Sequence, residues 1–385
     1  MTKTNLYRNI MTIFLSLMLC NHAIRSIFYV NFIYVYFLGA LTFFLILKIK
    51  KAPSMIKMNV IDTIILIFAT SLILYSLIST ILNEKLELNK IFELAVLFLV
   101  YFISREIKQE NIKIIVYIVF FWGLLHSIFL IVDRNYIYSA GVNYLLMSFT
   151  IGLSCCISYI KFFYKKDIKS KAILLSIFII TWAGLFSMQS RAVFLFTLFY
   201  CAIFPFFMLK GKKKVYFTLI SSFTLILIIA YFYNDIIHFY ENSKIYQRMS
   251  ELQYNYQNEP RILTYSLFFD KINEFWISGY GLNETSSNIY KYTIEKYPHN
   301  FILEFWSDFG LLGLIFSIFF AFFPLMFFLT KKFDEVMCIS SLIYLYYLMN
   351  FMKSFSIYDS SMFFLSVGLF YSIAKSHDSI FYNKQ

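Results

Sequence analysis

A histidine and two carboxylates stand at the head of a long apolar run in "YPHNFILEFWSDFGLLG", residues 297–313. Pro298 stiffens the backbone just before His299, so the imidazole is a positioned side chain. An imidazole with an ordinary pKa of about 6.5 can take a proton from a hydroxyl at neutral pH when held within hydrogen-bond reach. Glu304 and Asp308 follow at a spacing that puts them on one face of a helix. A plainer reading stands beside this one. The two acids favour the positive end of a helix and touch headgroup water, and His299 is an interfacial residue without chemistry. Two arginines bear on the choice. Arg191, in "SMQSRAVF", directly precedes an apolar run, and Arg261 opens "RILTYSLFFDKINEFWISGYGLN". Guanidinium groups are permanently charged and suit bidentate recognition of phosphate. Snorkelling accounts for Arg191 otherwise, and an exposed helix start for Arg261. Taken together, one histidine and two arginines describe a site for a lipid-linked phosphate and a hydroxyl acceptor.

The elements that must carry these residues are membrane helices. Of 385 residues, 60% are apolar, 22% aromatic and only 15% charged, which is far from a soluble domain. Apolar runs of bilayer-spanning length recur at roughly 9–24, 27–47, 60–82, 88–103, 112–132, 141–163, 171–188, 191–209, 215–234, 300–329, 336–352 and 358–374. The expected fold is an all-α polytopic membrane protein with about 12 transmembrane helices. The first run is the weakest, because Asn21 and His22 interrupt it. Lys3 and Arg8 ahead of it resemble a signal peptide, but no small-residue cleavage site follows, so it reads as a membrane segment.

With the amino terminus inside, "KIKKAPSMIK", "SREIKQENIK", "KFFYKKDIKSK", "KGKKK" and "TKK" fall on the cytoplasmic side. The net charge of +12 is then mostly topology, a basic face toward anionic lipid, and no nucleic-acid partner is needed to explain it. This orientation divides the chain into nine helices over residues 1–234, a large outer loop over 235–299, and three helices with a cytoplasmic tail over 300–385. Loops of that length are functional or disordered. Within this one Ile262, Tyr265, Phe268, Phe269, Ile272, Phe275 and Trp276 recur at three- and four-residue spacing. They predict an amphipathic helix at the outer interface, opened by Pro260 and closed by Ser278–Gly279.

Several chemistries lack their motifs. There is no D-x-D pair, no G-x-x-x-x-G-K-[ST] loop and no G-x-G-x-x-G turn, so nucleotide-driven and nicotinamide reactions are disfavoured. The five cysteines all lie in apolar runs without a zinc or disulfide spacing. Asp62 and Glu93 are the nearest cases of acids within spans, too few for an ion pathway.

The "SR" ahead of a span, the "R" opening the loop helix and "HNFILEFWSDFGLLGLI" closing the loop together resemble the O-antigen ligase and repeat-unit polymerase family of bacterial integral membrane glycosyltransferases. The resemblance is specific over about residues 185–320 and architectural elsewhere. It implies catalytic roles for Arg191, Arg261, His299 and Glu304, with Gly279 and Gly281 forming the turn after the loop helix and Gly310 and Gly313 opening the next span. It implies a metal-independent, cofactor-free glycosyl transfer on the periplasmic face of the inner membrane. The donor would be an oligosaccharide on undecaprenyl diphosphate. The arginines would hold the diphosphate, His299 would accept the proton of the attacking hydroxyl, and Glu304 would orient it. Further partners implied are a chain-length regulator and a flippase. The "GYGLN" turn and compact loop favour an O-antigen or capsular polysaccharide polymerase; a ligase delivering glycan to the lipopolysaccharide core is the alternative. A flippase or exporter of the same lipid-linked sugars is the competitor from another class. It would show a polar path through several spans and pseudo-repeat halves, and neither is seen in the sequence.

Overall fold

The computed structural model describes residues 3–50, 59–82, 87–133, 144–188, 190–208, 260–291, 297–330, 334–353 and 356–382. The expected span 215–234 and the part of the outer loop over 235–259 lie outside the described residues. All regular elements among the described residues are helical. Six of these helices are long and apolar enough to cross a membrane, or seven if one bent pair counts as a span. The all-helical, multi-pass expectation therefore holds in its coarser form. Several expected spans are shorter helices here, including Glu335–Phe351 and an apolar stretch over Ala192–Ala202.

The chain divides into two compact units, residues 1–119 with 260–385, and residues 120–259. The first unit opens with α1 (Lys3–Leu19) and α2 (Asn21–Phe28), which meet at a bend of 71° beside the polar pair that interrupts the first apolar run. There follow α3 (Ile33–Lys50), α4 (Val60–Leu82) and α5 (Leu88–Ser104). Asp62 at the start of α4 is fully buried and ion-paired with Arg105 just past α5, and Tyr101 donates to its other oxygen at 3.3 Å. This acid therefore ties two helix ends together. Next, α6 (Ile112–Val132) carries the chain across the division between units.

In the second unit α7 (Tyr144–Tyr164), α8 (Ile168–Ser187) and α9 (Arg191–Met208) pack side by side. Asp167 caps α8 by accepting from the Ser170 N–H at 2.9 Å. Rings join the helices: Tyr159 to Phe178 at 5.4 Å, and Phe186 to Phe194 at 5.0 Å. In lipid such van der Waals packing, rather than the hydrophobic effect, holds helices together.

The chain returns to the first unit with α10 (Pro260–Asp270), α11 (Ile272–Phe275) and α12 (Thr285–Asn288) of the outer loop. It continues through α13 (Phe301–Phe322), a 3₁₀ turn at Phe323–Leu325, α14 (Met326–Thr330), α15 (Glu335–Phe351) and α16 (Ser361–Tyr382). Phe301, Phe305 and Phe309 recur every fourth residue on α13 and are buried, as are Phe316 and Phe320 further along. This stripe meets Phe98 of α5 and Phe363 and Phe364 of α16, with Phe320 and Phe364 only 4.4 Å apart between ring centres. Pro324 ends the regular helix by removing a donor, so the expected span 300–329 is two helices joined by a 3₁₀ turn.

Candidate functional site

The corner read from the sequence is built by Asn300. Its Oδ1 accepts from the N–H groups of Ile302 and Leu303 at 3.0 and 3.2 Å, capping α13. Its Nδ2 donates to Met352 O at 2.8 Å, fastening the start of α13 to the end of α15. His299 immediately precedes this cap with φ 54, in the left-handed region that few non-glycine residues occupy. Pro298 is buried beside it, and the imidazole lies 4.4 Å from the Tyr297 ring. His299 is thus half-buried, set in the chain between buried Pro298 and the helix-capping Asn300. A non-glycine residue in that backbone conformation persists only where its surroundings over-determine it, which is common at functional sites.

Glu304 and Asp308 share one face of α13 as expected, but they do not sit in headgroup water: their exposures are 3% and 1%. Glu304 accepts from Ser356 Oγ at 2.6 Å and from the Ile357 N–H at 2.9 Å. It therefore holds the 3₁₀ turn Ile357–Asp359 that leads into α16. Asp308 accepts from Thr285 Oγ1 at 2.5 Å and from the Asn283 N–H at 3.1 Å, with Tyr358 OH at 3.5 Å. Both acids are brackets between α13 and chain segments on either side of it.

The loop helix differs from the sequence expectation in one respect. The apolar series predicted over one amphipathic helix is split at Lys271 into α10 and α11. Phe268 and Phe275 are fully buried with Ile289 and Tyr290, against Trp306 of α13. Phe269 and Trp276 remain about half exposed, at 52% and 48%. Gly279 closes the segment as predicted, its N–H reaching Phe275 O at 2.8 Å with φ 73. Trp306 Nε1 donates to Trp276 O at 3.1 Å, and Tyr75 of α4 donates to Ser278 O at 2.5 Å. The loop is therefore docked onto α4 and α13.

The "GYG" turn is clamped onto α13 by backbone. Tyr280 and Gly281 donate to Ser307 O and Asp308 O at 2.8 and 3.0 Å, and Leu311 N–H donates to Ile277 O at 3.0 Å. Gly310 accommodates this with φ 60 and ψ −146, a non-helical residue inside α13. The loop helix that carries Arg261 in its first turn and the corner that carries His299 thus belong to one docked assembly within the first unit. Arg191 is the first residue of α9, in the second unit.

Sequence reasoning missed Asn300, Ser356, Tyr358, Asn283 and Thr285. The cap at Asn300 had a local signal, an asparagine directly before an apolar periodic run. The others had none, because their partners are far away along the chain.

The stretch that includes Arg191, the docked loop, His299 and the paired acids is also the stretch that comparison singles out. Residues 175–318 match a family described as O-antigen ligase. That region nearly coincides with the stretch whose motifs carry the resemblance, and the match supports a membrane protein of the O-antigen ligase and polymerase kind. No curated protein and no solved structure matches the chain. The match supports an O-antigen-related glycosyltransferase or ligase function.

Proposed function

We propose that this O-antigen ligase domain belongs to a repeat-unit polymerase. It transfers a glycan from undecaprenyl diphosphate onto a second lipid-linked repeat unit, at the periplasmic face of the bacterial inner membrane. The observation that carries the reading is His299, held in a left-handed backbone conformation between buried Pro298 and the Asn300 cap. A general base must be placed before it can act, and here the backbone places it. In the reaction the acceptor hydroxyl oxygen attacks the anomeric carbon while His299 takes its proton. The bond from that carbon to the diphosphate oxygen breaks, and the diphosphate departs on its lipid. Arg191 and Arg261 bind the diphosphate and stabilise the charge gathering on it. The leaving group is already good, so the step proceeds without a metal, nucleotide or other cofactor. Glu304 acts as a positioning residue, since its oxygens hold the segment that follows α15 against the first turn of α13.

The ligase reading stays as the second one, because the matching family is described as O-antigen ligase. The acceptor alone separates the two. Purified protein given lipid-linked repeat units is expected to form longer glycans without a gradient or nucleotide. Transfer only to lipid A-core would make the protein a ligase. Transport without transfer, unaffected by His299→Ala, would make it an exporter and overturn the enzymatic reading.

A further inference from the structure

Glu87, just ahead of α5, meets the loop segment after α11 within the first unit. Asn283, with φ 63, points its Nδ2 at Glu87 Oε2, 3.1 Å away, while its N–H is taken by Asp308. Beside them lies a cleft of about 380 Å³ lined by Glu87, Leu88, Asn89, Lys90 and Asn283. On the other side of Asn89 a second cleft of about 380 Å³ is lined by Tyr34, Asn89, Phe92 and Glu93. The Tyr34 and Phe92 rings are 6.4 Å apart and both exposed. None of these side chains takes part in the proposed glycosyl transfer.

We propose that these adjoining clefts form a subsite for a neutral or amino sugar of the acceptor glycan; the assignment to the acceptor rests on the glycosyl-transfer reading above. The chemistry matches in three ways. Glu87 accepts from sugar hydroxyls or an ammonium, and the Asn89 and Asn283 amides both donate and accept. Tyr34 and Phe92 offer ring faces to the apolar face of a pyranose. The charge is also selective. Lys90 Nζ is 2.8 Å from Glu93 Oε2 and 4.1 Å above the Tyr358 ring, so its charge is already engaged. Glu87 then dominates, and a negative cleft repels diphosphate and acidic sugars. Diphosphate binding and sugar binding are thereby assigned to different groups.

The placement is also suitable. Asp308, which holds Asn283, lies two turns along α13 from Asn300, about 12 Å at 1.5 Å per residue. An oligosaccharide seated at Glu87 and Asn283 spans that distance to the His299 corner. The Asp308 bracket holds Asn283, and Tyr34 OH, which donates to Glu93 Oε1 at 3.3 Å, ties α3 to α5 beside the second cleft.

The test uses the full-length protein in lipid nanodiscs and two readouts. The first is saturation-transfer NMR with the methyl glycosides of glucose, N-acetylglucosamine, glucosamine and glucuronic acid, with inorganic pyrophosphate as a further competitor. The second is the acceptor KM in turnover with lipid-linked repeat units. Neutral or amino glycosides are expected to show transfer that pyrophosphate does not displace, weakened at least fivefold by Glu87→Gln and by Asn89→Ala. The same variants are expected to raise the acceptor KM at least fivefold. Asn89 is exposed, so its replacement leaves the fold intact and keeps the test decisive should Glu87→Gln misfold. No sugar signal together with an unchanged KM, or a preference for the glucuronide, overturns the subsite. His299→Ala is expected to keep the sugar signal and lose turnover. Sugar binding in a wild-type protein that performs no transfer would instead support the subsite and sink the proposed reaction.

Discussion

Gly279 and Gly310 lie backbone against backbone, so that a Cβ on Gly310 would fall 2.6 Å from the Gly279 nitrogen and 2.0 Å from Ile277 O. Both have positive φ, and the approach lets the outer loop hydrogen-bond directly to α13. The contact docks the loop before any side chain of the site comes into play.

Gly310→Ala is therefore expected to undock the loop. The backbone conformation alone penalises a side chain by about 1–3 kcal/mol, and the clash with Ile277 O adds to it. Thermal unfolding in detergent should show a clear loss of stability, with faster proteolysis within residues 260–291. A variant as stable and protease-resistant as the wild type would show that the clamp is dispensable.

Glu304 and His299 should separate by phenotype. Glu304→Ala leaves the Ser356 hydroxyl and the Ile357 N–H without their acceptor, costing about 1–3 kcal/mol of stability. His299→Ala should leave the thermal midpoint nearly unchanged and lower turnover by about 10²–10⁴. Arg191→Lys and Arg261→Lys, which keep charge but lose the planar fork, should each cost about 10²–10³ in turnover. Full polymer formation by both lysine variants would rule out bidentate diphosphate binding.

The outer loop carries a pH-sensitive contact. Tyr280 OH donates to Glu274 Oε2 at 2.6 Å, and this bond, with help from Lys271, holds the Glu274 carboxyl below its ordinary 4.5. Burial, then Glu274 itself, pushes the Tyr280 hydroxyl up, so it remains a donor throughout the physiological range. A depressed carboxyl contributes stability that is present above its unfolded pKa and lost as pH falls through its folded one. Tyr280→Phe should flatten the stability profile in the window just below pH 4.5, read by tryptophan fluorescence during unfolding. An identical acid limb in variant and wild type would remove the contact from the account.

At the other end of the first unit, buried Asp62 depends on Arg105. Arg105→Ala strands a buried carboxylate and should cost about 3–5 kcal/mol. Adding Asp62→Asn should recover most of that loss, because the uncompensated charge is gone. Additive losses in thermal unfolding of the single and double variants would show that the two residues do not act as a pair.

Much of the architecture was legible because hydropathy is a local property. The runs at 60–82 and 112–132 agree with α4 and α6, since a stretch that long and apolar has few alternatives to a helix in lipid. The bend between α1 and α2 falls where Asn21 and His22 interrupt the first run, and Gly279 stops the loop helix as its lack of a Cβ predicts. The site was only half legible. Spacing put Glu304 and Asp308 on one face, and the plainer of its two readings turned them to headgroup water, because nothing near them in sequence signals Ser356 or Asn283. The split at Lys271 was equally hidden, since periodicity cannot tell which aromatics find a buried partner.

The sequence by itself determined an all-helical chain with several helices apolar enough to cross a membrane, and it supplied an expected orientation and a short set of candidate side chains. These follow from residue type and spacing within a segment, where solvent preference and helical period act directly. Only the tertiary structure decided that Asn300 caps and fastens the His299 corner, that the two acids are brackets, and that the start of α5 forms a cleft with Asn283. Those outcomes depend on hydrogen bonds between segments as far apart as Glu87 and Asn283, and a buried polar group takes whichever partner packing brings to it.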